Sequence, residues 1–133
     1  MMTHRHIPPL LALVLAGLTP CGMAADGTTT PVRFSRDILP LLAKRCFACH
    51  GPADQEAGLA LHLRDRATGK TESGLPAIVP GRPDQSQLLK RVRSTNPDTR
   101  MPHDGPALTR QEIDLLQGWI TQGARYEKHW SLV

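Results

Sequence analysis

The sequence predicts an all-α domain of three to four short helices. Apolar residues recur at helical spacing in three segments, and no strand-helix-strand alternation accompanies them. With 133 residues, 40% of them apolar, the chain has room for one globular domain. Aromatic residues make up only 4% of the chain. A small core so poor in rings needs support from a metal, a disulfide or a cofactor.

Residues 1–25 are predicted to be a secretion signal. A basic lead-in precedes the apolar run LLALVLAGL, and small residues up to Ala25 offer a cleavage site. The run is shorter than the about 20 residues that a membrane helix needs, and an uncleaved anchor is the alternative. We therefore expect export to the bacterial periplasm. Membrane attachment is expected only if Cys21 is lipidated, and Pro20 stands where a lipoprotein signal has a small residue.

Removal of this signal leaves few residues that can bind a metal or cofactor. Two cysteines remain, Cys46 and Cys49, with four histidines and one methionine, Met101. The net charge becomes +3, from 15 basic and 12 acidic residues that are mixed along the chain. So mild a charge predicts no nucleic acid partner. In an oxidising compartment, the thiol pair is expected to be oxidised or bound to another group.

The first predicted helix follows a polar leader, residues 26–31. Its apolar face consists of Ile38, Leu41 and Leu42. Asp37 is predicted as the N-cap, which places Pro40 in the first turn, where backbone donors have no helical partner. Cys46 then lies at the end of this helix.

The middle of the chain alternates between loops and short elements. Leucines at 59, 61 and 63 alternate with Ala60 and His62, which predicts a short extended segment with His62 facing outward. Residues 68–74 are predicted to form a loop. A helix is expected from Pro83 to Val92, with Leu88 and Leu89 on its apolar face.

The last predicted helix has the clearest signals. An ordered, proline-rich loop, residues 96–106, precedes it and contains Met101. Thr109 and Glu112 form a capping box, and Gly123 suits the C-terminal stop. The apolar face of the helix consists of Ile113, Leu115, Leu116, Trp119 and Ile120.

The pentapeptide CFACH contains the cysteine pair and ends in a histidine. Cys-x-x-Cys-His is the attachment signature of c-type haem. Two sulfurs one helical turn apart, from Cys46 and Cys49, can reach the two vinyl groups of one porphyrin edge, and His50 then faces the iron. We expect one covalent haem c per chain, which also supplies the apolar surface that the composition lacks.

Three other interpretations of the cysteine pair remain open. A disulfide between the two cysteines would close a very small loop and stabilise the fold little. A zinc site would need more closely spaced ligands than the histidines provide. A thioredoxin-like site would place the cysteines after a strand and at the start of a helix, whereas here a helix precedes them.

Met101 is the candidate distal ligand of the haem iron. A methionine in a polar loop stiffened by prolines has little core to fill, and Met/His ligation favours electron transfer over oxygen chemistry. His103 is the alternative distal ligand. Arg100 is a weaker candidate for cofactor binding, through a haem propionate. His62 and His129 are expected to be solvated.

Several blocks of the sequence resemble the Planctomycete-type cytochrome c domain, a short class related to ordinary monohaem cytochromes c. The blocks fall in order within residues 32–130: VRFSRDILPLLAKRCFACHGP, AGLALHL, AIVPGRPDQSQLLKRV, RMPH and LTRQEIDLLQGWITQGARYEKHW. The resemblance implies a small cytochrome c fold, covalent haem at Cys46 and Cys49, proximal His50, and a distal methionine that matches Met101.

Two departures from the family pattern affect these expectations. Family members usually have Met-Pro-Pro where this chain has Met101-Pro102-His103. The family domain also generally begins a longer exported protein, so residues 131–133 are expected to be a tail that is cut off, or the end of a free-standing version. The partners are then a redox protein or fused downstream domains.

The sequence as a whole predicts an exported electron carrier rather than a catalyst. Single electrons would pass through the exposed edge of the haem. A haem enzyme, or a module that binds a small ligand at the iron, is the alternative, as is a binding module in which haem only stabilises the fold.

Overall fold

The computed structural model describes residues 30–127, and this part of the chain is helical. Its five α-helices are α1 (Leu39–Arg45), α2 (Phe47–His50), α3 (Arg64–Thr68), α4 (Gln87–Val92) and α5 (Arg110–Thr121). A π-helical turn, Phe34–Ile38, precedes α1, and 3-10 turns lie at Glu56–Gly58 and Pro83–Gln85. No strand is present between residues 30 and 127. The predicted all-α class is confirmed, and α2 and α3 are additional short helices.

The N-terminal helix begins one turn earlier than predicted. Asp37 lies inside the π-helical turn and is not the N-cap. Its Oδ2 atom accepts a hydrogen bond from the backbone N–H of Arg33 at 2.8 Å, so the carboxylate caps the helix from within its first turn. Pro40 lies in the first turn of α1 and Cys46 directly follows the helix, as predicted.

The segment from residue 59 to 63 is not the alternating extended segment that the leucine spacing predicts. Ala60 and Leu61 are both buried, whereas Leu63 is 47% exposed. The backbone N–H of Leu61 donates to the carbonyl of His50 at 2.9 Å, so this segment is held against the CFACH motif. The chain then enters α3, in which only Ala67 is buried. Because a single buried residue gives no apolar periodicity, the sequence did not predict this helix.

The middle helix is divided in two at Ser86. The 3-10 turn begins at Pro83, and α4 begins after Ser86, whose side chain is fully buried. The Ser86 hydroxyl accepts from the N–H of Val79 at 2.9 Å and donates to the carbonyl of Arg82 at 3.0 Å, which satisfies this buried polar group. The predicted apolar face is confirmed, since the buried residues of α4 are Leu88, Leu89 and Val92.

The C-terminal helix α5 has the predicted capping box. The Thr109 hydroxyl accepts from the N–H of Glu112, and the Glu112 carboxylate accepts from the N–H of Thr109. Gly123 follows the helix with φ +100°, a left-handed conformation that favours glycine. The buried residues of the helix are Leu116, Trp119 and Ile120, whereas Leu115 is 37% exposed.

Three aromatic side chains join the N-terminal turn to α5. The ring of Phe34 lies 5.6 Å from that of Trp119 and 4.4 Å from that of Tyr126, measured between centroids. The Trp119 indole donates to the carbonyl of Arg125 at 2.9 Å, and the Tyr126 hydroxyl donates to that of Leu61 at 3.0 Å. Three of the five aromatic residues thus lie where the π-helical turn before α1 meets the end of α5, and their contacts join these two segments.

Several predictions concern residues outside the described part of the chain. They include the signal peptide, Cys21, His129 and the tail, residues 131–133. Within residues 30–127, no helix has both the length and the apolar character that a membrane span requires.

Candidate functional site

The CFACH motif forms its own short helix directly after α1. Cys46 ends α1 and precedes α2, with a backbone conformation (φ −129°, ψ −30°) that separates the two helices. The carbonyl of Cys46 accepts from the N–H of Cys49 at 3.2 Å and from that of His50 at 2.9 Å. These two hydrogen bonds close one turn of the backbone, so Cys46, Cys49 and His50 lie within a single turn of the chain.

The two thiols are half-buried and uncharged at neutral pH. Burial raises the pKa of the Cys46 thiol to about 11. The pKa of Cys49 is also raised, first by burial and then by the carboxylates of Glu56, Asp54 and Asp104. Redox-active Cys-x-x-Cys sites have lowered thiol pKa values, so this environment argues against the thioredoxin-like interpretation.

The loop after the motif orients the ring of His50. Its Nδ1 atom lies 3.2 Å from the backbone carbonyl oxygen of Glu56, at a distance that suits a hydrogen bond from the Nδ1–H tautomer. The Nε2 atom is then the ring nitrogen with a lone pair for a metal. Histidine ligands commonly use their other ring nitrogen in this way to fix tautomer and orientation.

Gly51 lets the chain turn away from the motif. A Cβ atom at this position would lie 2.5 Å from the carbonyl oxygen of Phe47 and 2.6 Å from its Cβ. Contacts this short are sterically forbidden, and backbone atoms cannot move aside as a flexible side chain can. Glycine at position 51 is therefore needed for the loop that carries the Glu56 carbonyl.

The two candidate distal ligands differ in burial. Met101 is half-buried and packs against the hydrophobic core, and its N–H donates to the carbonyl of Arg91 at 3.2 Å. The expectation that this methionine has little core to contact is therefore wrong. His103, two residues later, is exposed. The carboxylate of Asp104, in the same loop, contributes to the raised pKa of the Cys49 thiol. The end of the Met101 loop therefore lies near the motif.

An ion pair beside Cys46 was not predicted. A side-chain nitrogen of Arg45, Nη2, lies 2.9 Å from Oε2 of Glu112 and 3.1 Å from the carbonyl oxygen of Ala107. The pair joins the end of α1 to the start of α5 across 67 positions of sequence. The sequence identifies Glu112 only as part of a capping box, and no local pattern indicates its second role.

His62 is not solvated as predicted. It is half-buried, and its ring lies edge-on to that of Phe47 in the motif, with centroids 6.1 Å apart and an interplanar angle of 79°. The outward orientation was inferred from strand alternation, and the chain forms a turn here instead.

Three buried side-chain nitrogens lack a hydrogen-bond partner in the described part of the chain. They are Arg45 Nε, His62 Nδ1 and Arg100 Nε. Arg45 adjoins Cys46, His62 contacts Phe47, and Arg100 adjoins Met101, so all three residues flank the motif or the candidate distal ligand. Buried polar groups are normally satisfied, and a bound group with carboxylates would supply acceptors here.

These residues fit a haem. The motif presents two unpaired thiols and an oriented imidazole, the Met101 loop supplies a thioether, and the propionates of haem are carboxylates of the kind that the unpartnered nitrogens need. Among residues 30–127, no group of three or more His, Cys, Asp or Glu side chains is arranged to hold a metal ion.

Comparison with known proteins finds a match to one family model. Residues 46–105 match the family model described as Planctomycete cytochrome C. Searches of curated proteins and of solved structures each found no match to the chain. The matching span begins at Cys46 and includes Cys49, His50, Met101 and His103. The family predicted from the sequence is thus the one whose model matches residues 46–105, and its description as a cytochrome C indicates haem-based electron transfer.

Proposed function

We propose that this protein carries single electrons through one covalently bound haem c, whose iron is held by His50 and Met101. The observation that supports this proposal best is the orientation of His50. With Nδ1 directed to the Glu56 carbonyl at 3.2 Å, its Nε2 atom is left as the ring nitrogen that can bind iron.

Each residue of the site has a distinct task in this proposal. Cys46 and Cys49 bind the haem through thioether bonds to its vinyl groups, which prevents loss of the cofactor. His50 supplies the proximal ligand, and Gly51 allows the loop that orients it. When bound, the haem supplies a one-electron couple between ferric and ferrous iron.

Met101 is the proposed distal ligand in preference to His103. It is half-buried and packed against the core, whereas His103 is exposed. A thioether and an imidazole together close the iron to substrates and raise its potential relative to two imidazoles, which suits electron transfer. A haem enzyme or a module that binds a small ligand would need an open position at the iron.

Arg100 is proposed to bind a haem propionate. Its Nε atom is buried and has no partner within residues 30–127, and the residue directly precedes Met101. A guanidinium pairs strongly with a carboxylate. The loop would then hold the haem at two points, the iron through Met101 and a propionate through Arg100.

The location and partners of the protein are also proposals. The signal-like residues 1–25 support export to the periplasm, with an electron donor or acceptor protein, or a fused domain, as the redox partner. Electron exchange through the haem edge requires no further cofactor on this chain.

Coexpression of the full chain with a cytochrome c maturation system tests the proposal. We expect a coloured periplasmic product whose mass equals the mature polypeptide plus one haem, and a pyridine haemochrome spectrum of a haem with two thioether bonds. The double variant Cys46→Ala, Cys49→Ala is the control and should carry no covalent haem. A colourless product, or a pigment that acidified acetone extracts, would contradict the proposal.

A further inference from the structure

The Arg45–Glu112 ion pair lies beside the thiol that is proposed to hold the haem. We infer that this pair tunes the reduction potential of the haem, with Arg45 raising the potential and Glu112 lowering it. The inference rests on the proposed function, because it requires a haem bound at Cys46.

The geometry of the pair keeps both charges in place. The side chains of Arg45 and Glu112 are only 13% and 19% exposed. The Arg45 guanidinium is held by the Glu112 carboxylate at 2.9 Å and the Ala107 carbonyl at 3.1 Å, and the same Glu112 oxygen accepts from the Thr109 N–H at 2.8 Å. Charges fixed in a partly buried site act over longer distances than solvated charges do, because water screens them less.

Both groups stay charged at neutral pH. The Thr109 backbone N–H and the Arg45 guanidinium hold the pKa of Glu112 below its ordinary value. Arginine remains protonated in proteins. The chain therefore places one fixed positive and one fixed negative charge at the start of the motif.

The two charges act on the position where the haem would be attached. Both influence the Cys46 thiol electrostatically: Arg45 favours its negative form and Glu112 disfavours it, although burial has the larger effect. Reduction of a haem adds one negative charge, with the electron supplied by a redox partner or mediator and no bond formed or broken. A nearby positive charge stabilises the reduced state, and a nearby negative charge stabilises the oxidised state.

The guanidinium is not fully satisfied by its partners. Its Nε atom is buried and has no hydrogen-bond partner in the described residues. Its two hydrogen bonds are both made by Nη2, to the carbonyl of Ala107 and the carboxylate of Glu112. Because Arg45 directly precedes Cys46 and its side chain is only 13% exposed, we expect its charge to act on a haem bound at Cys46 despite the pairing with Glu112.

A second ion pair on α5 provides a matched control. Arg110 and Asp114 lie 3.3 Å apart, and their side chains are 89% and 57% exposed. Solvent and salt screen such exposed charges strongly. Neutralising this pair removes one positive and one negative charge near the start of α5 without altering the site beside Cys46.

The test is a spectroelectrochemical titration of the matured holoprotein with soluble mediators. Arg45→Gln should lower the reduced-to-oxidised ratio at a fixed applied potential by about threefold to tenfold, and Glu112→Gln should raise it by a similar factor; a tenfold change equals about 59 mV for one electron. Glu112→Gln keeps the capping box, since glutamine also serves at that position. The double variant and Arg45→Lys should remain near wild type.

The outcomes separate this inference from the proposed function. The inference is supported if the reduction potential falls in Arg45→Gln and rises in Glu112→Gln. The potentials of Arg110→Gln and Asp114→Asn should stay at the wild-type value. Shifts of the same sign in the first two variants, or shifts no larger than those of the exposed pair, overturn the inference even when the wild type carries a covalent haem. If Arg45→Gln yields no folded product, the potentials of Glu112→Gln and Arg45→Lys test the inference instead. A potential that does not rise in Glu112→Gln, or that departs from wild type in Arg45→Lys, contradicts it.

Discussion

The Nδ1 atom of His50 lies 3.2 Å from the carbonyl oxygen of Glu56, so the loop after the motif fixes the plane of the imidazole. This contact depends on the backbone path that begins at Gly51. A side chain at residue 51 would collide with the Phe47 backbone. The loop conformation is thus a requirement of the candidate haem site and not only a connection between helices.

Gly51→Ala should damage both the site and the fold. We expect a loss of about 1–3 kcal/mol in the free energy of unfolding, typical of overpacking, and a lower ratio of covalent haem to polypeptide. Chemical denaturation and absorbance measure the two effects. Gly118→Ala is the control, since the nearest atom to its Cβ would be a methyl group of Val32 at 3.3 Å, a much longer contact than those at Gly51, and alanine is favoured within a helix. Equal behaviour of the two variants would contradict the steric argument.

Met101→Ala should open the distal side of the iron. We expect the sulfur-to-iron charge-transfer band of the oxidised protein to disappear, the potential to fall, and exogenous imidazole to bind more tightly, because no thioether competes for the iron. Absorbance spectra and ligand titrations measure these changes.

His103→Ala is the matched control for the distal ligand. The side chain is exposed, so the charge-transfer band and the potential should stay as in the wild type. If His103→Ala changes the ligation and Met101→Ala does not, then the distal ligand is histidine. If the wild type already binds exogenous ligands freely, the haem enzyme or ligand-binding alternative is favoured.

Two adjacent leucines of α5 should differ sharply in their contribution to stability. Leu116 is fully buried and Leu115 is 37% exposed. We expect Leu116→Ala to lower the free energy of unfolding by about 2–5 kcal/mol through lost contacts and a residual cavity. Leu115→Ala should cost less than about 1 kcal/mol. Denaturant unfolding of the matured protein measures both, and similar losses would mean that α5 packs with a different face.

Acid should weaken the fold partly through Glu112. Because its pKa in the folded state lies below the ordinary value of 4.5, the carboxylate stabilises the fold above about pH 4.5, and this contribution is lost as the pH falls through the folded value. Wild type should therefore lose more stability than Glu112→Gln between pH 6 and about pH 3. Unfolding free energies at several pH values test this. Asp114→Asn, at a carboxylate that is 57% exposed, should keep the acid sensitivity of the wild type.

Local signals predicted the elements that depend on neighbouring residues. The capping box of Thr109 and Glu112 and the buried face of α4 were both identified correctly. The position of Cys46 at the end of a helix was also correct, since apolar spacing and the tolerance of Pro40 in a first turn are local properties. The motif itself indicated haem, and the family match includes it.

Tertiary contacts decided the rest. Alternating leucines predicted an extended segment at residues 59–63, but the hydrogen bond from Leu61 to His50 and the turn into α3 place His62 against Phe47 instead. A period of two in five residues is too short a signal to outweigh such contacts.

The sequence by itself determined which residues can bind a haem, namely the thiols of Cys46 and Cys49 and the imidazole of His50. It also marked the ends of the last helix, through the capping box and Gly123. Only the tertiary structure decided the surroundings of the candidate haem site. It brought Glu112 to Arg45, oriented His50 through Glu56, and buried Met101 more than His103. The physical reason is that helix periodicity and capping depend on residues a few positions apart, whereas ion pairing and burial depend on how distant segments pack.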